Sequence, residues 1–124
     1  MATLPDRVKR WLDEGASVEL VVVDLAQAMV RAVVVAEYDD DDLLMAVPEG
    51  GAVHHALIYD PQATVQISPA AGAAGAAVGA EVRGEVEMTT AGAAELRLRT
   101  GGTVEPGAAW LVVRVIPTAV EIRA

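Results

Sequence analysis

The stretch of sequence that decides the fold is residues 31–61, RAVVVAEYDDDDLLMAVPEGGAVHHALIYDP. It begins with a β-branched run, passes through consecutive aspartates and continues into a second apolar run at residues 43–47. β-Branched residues favour strands, and charged residues between two such runs favour an exposed turn. Residues 48–51 then break the second strand, and residues 52–60 have the pattern of a short helix before a proline. The stretch therefore predicts strand, turn, strand and helix.

The flanking sequence adds a helix in front and more strands behind. Residues 5–15 begin with proline, end with glycine and carry an apolar stripe at helical spacing, so they predict an N-terminal helix. The Ala/Gly-rich residues 69–80 predict a loop. Residues 95–99 are compatible with either a strand or a helix. Strands are expected at residues 18–25, 29–38, 43–47, 63–68, 81–90, 110–116 and 119–123, with a hinge at Pro117 between the last two.

Length, composition and charge limit the classes of protein to which the chain can belong. The chain has 124 residues, which fits one domain over residues 1–124. It has no cysteine, which excludes thiol chemistry and Cys-based metal sites and agrees with a reducing cytoplasm. A net charge of −9 with scattered basic residues argues against nucleic acid as a partner. No apolar run approaches the roughly 20 residues that span a bilayer. We therefore expect a cytoplasmic protein that binds neither nucleic acid nor membrane.

Few residues point to metal or hydrolytic chemistry. His54 and His55 are the two histidines, and adjacent helical residues point about 100° apart, so they cannot chelate one metal. The aspartates at 39–42 lack the glycine and distal glutamate of a calcium loop and have the pattern of a solvated turn. No serine lies in a G-x-S-x-G elbow. We expect no metal site and find no support for a hydrolase.

Three segments, in this order, resemble the pyridoxamine-phosphate-oxidase-like family of flavin-binding split barrels. Residues 31–61 are similar to the family's arginine, strand, turn, strand, phosphate loop and closing Leu-x-x-Asn/Asp-Pro. Residues 82–87, VRGEVE, resemble its V-R-x-x-G-x-V-E strand, shortened by two residues. Residues 110–122, WLVVRVIPTAVEI, resemble its closing Gly-Tyr-Arg-Val-x-Pro-x-x-Ile-Glu-Phe. The resemblance implies a mainly β fold, an antiparallel split β-barrel with a few short helices. It also implies a homodimer with flavin sites at the interface.

The resemblance also implies where a flavin phosphate would bind. It gives Arg31 the role of the family's phosphate-binding arginine and leaves His54 a candidate in the cleft. The family's other phosphate-binding side chains fall on Ala36, Val47, Gly51 and Val53, none of which has a side-chain donor. The backbone amides of Glu49, Gly50 and Gly51, at the start of the second helix, remain available as donors, while Glu49 and the aspartates at 39–42 add like charge to the neighbourhood. The expected loop is Val47, Pro48, Glu49, Gly50 and Gly51.

Two functions stay open at this stage. The first is an oxidoreductase that uses FMN or the deazaflavin F420, in which the cofactor supplies the hydride chemistry. The second is a cofactor-free member that keeps the barrel dimer as a small-molecule-binding or structural module. A phosphate-free haem or flavin-derivative binder has only the histidines in its favour. Because the sequence lacks the C-terminal Arg/His segment of true oxidases, pyridoxamine phosphate is not expected as a substrate.

Overall fold

The structure, a computed structural model, describes residues 2–70 and 79–123, which form a mainly β fold. The predicted N-terminal helix and inserted helix are both present, and residues 95–99 belong to a third helix. Residues 71–78 of the predicted Ala/Gly-rich loop lie outside the described residues, while residues 79 and 80 already belong to a strand. The helices are α1 (Asp6–Asp13), α2 (Ala52–Tyr59) and α3 (Ala93–Arg99), and the strands are β1 (Ser17–Val23), β2 (Met29–Val34), β3 (Ala36–Asp39), β4 (Asp42–Pro48), β5 (Gln62–Ser68), β6 (Gly79–Thr89) and β7 (Trp110–Arg123).

The strands form one curled antiparallel sheet in the order β2-β1-β5-β6-β7-β4-β3. The two edge strands, β2 and β3, are consecutive in the chain and only Val35 separates them. Residues 29–38, predicted as one strand, are therefore two: the first pairs with β1 and the second with β4. This change of partner at Val35 brings the two edges of the sheet towards each other. The predicted antiparallel split β-barrel is confirmed.

Alternating side chains on the strands build the core, which α1 and α2 cover. The chain contains no phenylalanine, so aliphatic residues and one buried tryptophan fill the interior. Trp11 of α1 is 2% exposed, and Leu57 of α2 is 1% exposed. The central strands contribute Val18, Leu20, Val22, Leu43, Met45, Val65, Ile67, Val82, Val113 and Val115.

The predicted hinge at Pro117 is wrong, because β7 continues from Trp110 to Arg123 as one strand. Pro117 is aligned with Gly84 on β6, next to a register shift that leaves Thr118 as an extra residue on β7. A bulge of this kind tolerates proline, which has no N–H to give to the ladder. Thr118 Oγ1 instead donates a hydrogen bond to the carbonyl oxygen of Arg83, 3.2 Å away. The bulge next to Pro117 thus lets β7 continue past the proline as one strand.

The aspartate-rich segment forms the predicted turn, in which Asp39 pairs with Asp42. Arg114 of β7 lies 3.1 Å from the carboxylate of Asp39 and 2.8 Å from that of Asp42. Lys9 of α1 lies 3.6 Å from Asp41. Strands rise about 3.3 Å per residue, so this turn is roughly 20 Å from the opposite end of β4. The expectation that these carboxylates add charge near the phosphate loop is therefore wrong: they are distant, and those of Asp39, Asp41 and Asp42 are paired.

Candidate functional site

The turn between β4 and α2, predicted as the phosphate loop, uses its own amides to hold its shape. The amide of Glu49 donates to the carbonyl oxygen of Ala109 (3.1 Å), and that of Gly51 donates to Pro48 (3.3 Å). The amide of Gly50 donates to Nδ1 of His54, 2.8 Å away. Gly50 has φ of 80°, a backbone conformation that favours glycine. The amides expected to bind phosphate are thus already engaged within the chain.

The next amides along the chain are in a different situation. Those of Ala52, Val53 and His54 lie in the first turn of α2, where an α-helix leaves its N–H groups without intrahelical partners. Among residues 2–70 and 79–123, none of these three amides has an acceptor. Any donation from the backbone to a ligand at this loop therefore falls to the first turn of α2.

The same loop borders a pocket of about 340 Å³, which we call the β4–α3 pocket. Its volume lies within the usual range for small-molecule sites. Aliphatic side chains form most of its wall, and Arg97 is the charged residue in it. Its lining is Ala32, Val33, Val34 and Val35 on the β2–β3 run, Ala46, Val47 and Pro48 on β4, Val53 on α2, and Arg97, Thr100 and Trp110.

Arg97 is held in this pocket by stacking. Its guanidinium carbon lies 4.2 Å from the centroid of the Trp110 ring. Gly102 packs against the same side chain, so closely that a Cβ atom added to Gly102 would overlap with the guanidinium group of Arg97. Within the described ranges, Arg97 forms no ion pair, and its buried Nε has no hydrogen-bond acceptor. The pocket therefore contains a positioned cation to which residues 2–70 and 79–123 supply no counter-charge.

Helix α3 fixes the position of Arg97. Ala93 and Leu96 are buried against Val112 of β7, which anchors the helix on the sheet. Thr100 Oγ1 donates to the carbonyl oxygens of Leu96 (2.9 Å) and Arg97 (3.1 Å) at the helix C-terminus. Trp110 of β7 is paired with Pro48 of β4. The stacked Arg97 and Trp110 side chains therefore lie beside the predicted phosphate loop.

Sequence reasoning missed Arg97, because residues 95–99 were compatible with strand or helix. The available signal was helical spacing from Ala93: residues four apart share a helix face, which places Arg97 beside a small apolar residue suited to packing. That signal depends on α3 being a helix. It gives no indication that Trp110 lies across from it.

Arg31 lies outside the pocket. Its side chain is 49% exposed on β2, and its Nη1 atom lies 2.7 Å from Oε1 of Glu19 on β1. Exposed pairs of this kind contribute about 0–1 kcal/mol to stability. The structure therefore groups Val47 and Pro48 with Arg97 and leaves Arg31 in a surface ion pair. Glu49 and Gly50 are exposed in the turn, and Gly51 precedes α2.

The two histidines differ in their surroundings. His54 is half-buried and accepts the hydrogen bond from Gly50. His55 is exposed and borders a separate apolar depression of about 600 Å³ with Leu25, Ile58 and Tyr59. In the described part of the chain, no three His, Asp or Glu side chains are grouped to hold a metal ion. No described helix is long and apolar enough to cross a membrane.

Another pocket, of about 300 Å³, lies against α3 and the strands β4, β6 and β7. Arg99 and Arg114 border it, together with Glu87 and Glu95. Arg99 bonds to Glu37 at 3.1 Å, and Arg114 bonds to Asp39 and Asp42. Since its cations already have carboxylate partners, it is a weaker candidate for an anionic ligand than the β4–α3 pocket.

Comparisons with known proteins agree with this geometry at the level of the fold. No protein-family model matches the sequence, and no curated protein matches it significantly. Among solved structures, an F420 reductase superposes with a TM-score of 0.77 at 17% identity, covering 95% of this chain and 98% of the other. A pyridoxamine 5′-phosphate oxidase-related, FMN-binding protein from Nostoc punctiforme superposes with a TM-score of 0.69 at 10% identity, covering 97% and 83%.

The heme storage protein HutZ from Vibrio cholerae is similar as well, with a TM-score of 0.71 at 11% identity and coverage of 98% and 96%. These three proteins share the architecture and differ in what their names say they bind or do. Identities this low support a common fold without assigning a common ligand. The chain therefore has the split β-barrel fold of the pyridoxamine-phosphate-oxidase-like proteins.

Proposed function

We propose that this protein binds a flavin-type cofactor, FMN or F420, in the β4–α3 pocket and works as an oxidoreductase. The observation that carries the proposal is the position of Arg97 in an aliphatic pocket beside the predicted phosphate loop, where no described carboxylate pairs with it. The F420 reductase and the FMN-binding protein with the same fold give this ligand class its support. Bound there, the cofactor supplies the hydride transfer.

The residues of the pocket divide into two roles for such a ligand. The walls from Val33, Val34 and Val35 offer apolar surface to an organic ring system, while Arg97 offers charge-assisted hydrogen bonds to an anionic group. The free amides in the first turn of α2 lie at the loop side, where a helix N-terminus favours negative charge. The chain itself then binds and orients the cofactor and excludes water.

A second copy of the chain is part of this proposal. Within residues 29–35, the side chains of Met29, Val33 and Val35 form an exposed apolar row. They are 64%, 83% and 56% exposed, an unusual amount of apolar surface along one short segment. Val33 and Val35 also line the pocket. A partner that covers this row buries the apolar side chains and encloses the ligand at the same time, which is the arrangement that the resemblance implies.

Sedimentation velocity of the Val33→Glu variant tests the dimer. Placing a charge in the row is expected to convert a dimer into a monomer, because a buried unpaired carboxylate is costly. Ile122→Glu, at the end of β7, is the control, since Ile122 is 37% exposed and lies outside the row. A wild-type monomer at micromolar concentration, or a dimer that both variants leave intact, contradicts this part of the proposal.

A cofactor-free binding module is the second candidate, and two observations favour it. Val47 and Val53 occupy loop positions without offering a side-chain donor, and the turn amides of Glu49, Gly50 and Gly51 are used internally. In that case the same pocket holds an apolar metabolite, and Arg97 binds its acidic group. The two candidates share the pocket and differ in the ligand.

Visible absorbance of the purified protein, followed by titration with FMN and F420 monitored by cofactor fluorescence, separates the two candidates. A yellow protein, or saturable binding at micromolar cofactor, supports the flavin-type function. Absence of a bound chromophore together with no binding of either cofactor at high micromolar concentration rules it out and leaves the cofactor-free module. A parallel haem titration shows whether the ligand class of HutZ extends to this chain.

A further inference from the structure

We infer that Arg97, stacked on Trp110, is the residue that binds the phosphate of the ligand in the β4–α3 pocket, in place of Arg31 and the family's missing lysines. This inference rests on the proposed function for its ligand class and goes beyond it in naming the anion-binding residue. Its structural basis is one juxtaposition: a guanidinium lies 4.2 Å from an indole ring at the mouth of an aliphatic pocket.

The charge balance of the chain makes this cation exceptional. Acidic residues number 18 and basic residues 9, so most cations have a carboxylate within reach. In the described residues, the other strand and helix arginines of the sheet region are paired: Arg31 with Glu19, Arg83 with Glu81, Arg99 with Glu37, Arg114 with Asp42 and Arg123 with Glu81. Arg7 and Arg10 are exposed on α1, outside any described pocket. Among the residues that the structure describes, Arg97 alone combines an unpaired charge with one of the pockets described above.

Stacking gives Arg97 the geometry that anion binding requires. Trp110 and Gly102 restrict the guanidinium plane, so little side-chain freedom is left to lose when a ligand binds. The planar guanidinium presents several N–H donors in a fixed arrangement that matches a phosphate. Among the described residues its buried Nε has no acceptor, and a buried donor of this kind calls for an explanation such as a bound water or ion.

The pocket walls strengthen the interaction. Aliphatic side chains such as Val34, Val47 and Val53 lower the local dielectric, and a charge-assisted hydrogen bond is stronger there than in water. The nearest loop carboxylate, Glu49, is exposed in the turn and does not line the pocket. An incoming phosphate therefore meets one cation and no opposing carboxylate among the residues that line the pocket.

A comparison of FMN with riboflavin, which lacks the phosphate, tests the inference directly. The wild type is expected to bind FMN at least about tenfold more tightly than riboflavin, a preference worth about 1.4 kcal/mol. Arg97→Ala is expected to abolish the preference and leave riboflavin affinity nearly unchanged, while Arg97→Lys retains part of it. Arg31→Ala is the matched control and is expected to keep the full preference. Far-UV circular dichroism and the thermal midpoint verify that each variant is folded.

The outcomes separate this inference from the proposed function. If the wild type binds FMN and Arg97→Ala keeps the preference for phosphate, the inference is overturned and the proposed function stands. If Arg31→Ala loses the preference instead, the anion site is at Arg31, and the inference is likewise overturned.

If the wild type binds neither FMN nor F420, the proposed function fails and a simpler probe decides the inference. Phenyl phosphate is titrated in a Trp11→Phe background, where Trp110 is the remaining tryptophan and reports through its fluorescence. Saturable quenching that Arg97→Ala abolishes supports the inference. The inference is overturned if phenyl phosphate causes no quenching up to about 10 mM. Binding would then be weaker than roughly −3 kcal/mol.

Discussion

The backbone amide of Gly50 donates a hydrogen bond to Nδ1 of His54, 2.8 Å away, and so ties the β4–α2 turn to the first turn of α2. His54→Ala removes the acceptor and is expected to lower the free energy of unfolding by about 1 kcal/mol, the usual net contribution of one such bond. Urea denaturation measures the change. His55→Ala is the control, because His55 is exposed beside it. Equal losses in the two variants would show that the hydrogen bond has no part in holding the turn.

Gly84 leaves no room for a side chain. A Cβ atom there would collide with the backbone carbonyl of Ile116 and lie 2.9 Å from Cγ1 of Val115. Because backbone must move, Gly84→Ala is expected to cost about 2 kcal/mol or more, in the range of overpacked cores. Gly101→Ala is the milder reference. An added Cβ meets open space there, and the only expected cost comes from the φ of 85°, which alanine adopts less readily than glycine. Thermal midpoints that fall by the same amount in both variants contradict the close approach at the bulge.

Gly102 tests the stack between Arg97 and Trp110 without removing either residue. A Cβ at Gly102 would occupy the space of the guanidinium, so Gly102→Ala is expected to move Arg97 off the ring. Trp110 emission, measured in the Trp11→Phe background, should then change in intensity and wavelength. Gly101→Ala in the same background should leave the emission near its original value, since nothing lies within 4 Å of that position. An unchanged Trp110 emission spectrum in Gly102→Ala would contradict the packing of Arg97 between Trp110 and Gly102.

Tyr38 links β3 to α1 in a pH-dependent way. Its hydroxyl donates to Oδ2 of Asp13 at 2.9 Å, and this hydrogen bond raises the pKa of Tyr38 above its usual value. A raised pKa in the folded state means that the bond stabilises the fold below the unfolded value of about 10. The contribution is lost as pH rises through the folded pKa.

A phenolate absorbance titration in a Tyr59→Phe background measures this effect, since Tyr38 is then the one tyrosine left. Asp13→Asn removes the negative charge and is expected to bring the titration back towards the usual pKa. The loss of stability that this ionisation causes above pH of about 10 should be smaller in the same variant, so the alkaline limb of the stability profile becomes shallower. Coincident titration curves with and without the carboxylate contradict the assignment.

Local patterns were enough to predict most of the strands and helices. The inserted helix was expected at residues 52–60 and spans Ala52–Tyr59, because proline and glycine delimit it on both sides. The alternation in residues 81–90 reappears as β6, with Val82 and Val86 buried and Arg83 and Glu85 facing outward. These features depend on neighbours in sequence, which a single chain displays directly.

The errors concern features that depend on distant partners. The break at Val35 arises because one end of the run pairs with β1 and the other with β4, and nothing in the run itself marks the change. Pro117 is tolerated because of the bulge opposite Gly84, on another strand. Arg97 gains its setting from Trp110, thirteen positions on, across a loop. Each of these three features depends on a contact with a residue distant in sequence, and a local sequence pattern does not reveal such contacts.

The seam between β2 and β3 is closed differently from the rest of the barrel. Every other junction between neighbouring strands is a ladder of hydrogen bonds, while β2 and β3 are joined by the main chain through one residue. Among the described residues, no hydrogen-bond ladder crosses this seam, so β2 and β3 are held together there by the main chain at Val35 and by packing against α2 and β4. Val35 also lines the β4–α3 pocket. Val35 therefore belongs both to the link between the two edge strands and to the wall of the pocket, so a change in its φ and ψ would alter the shape of that wall.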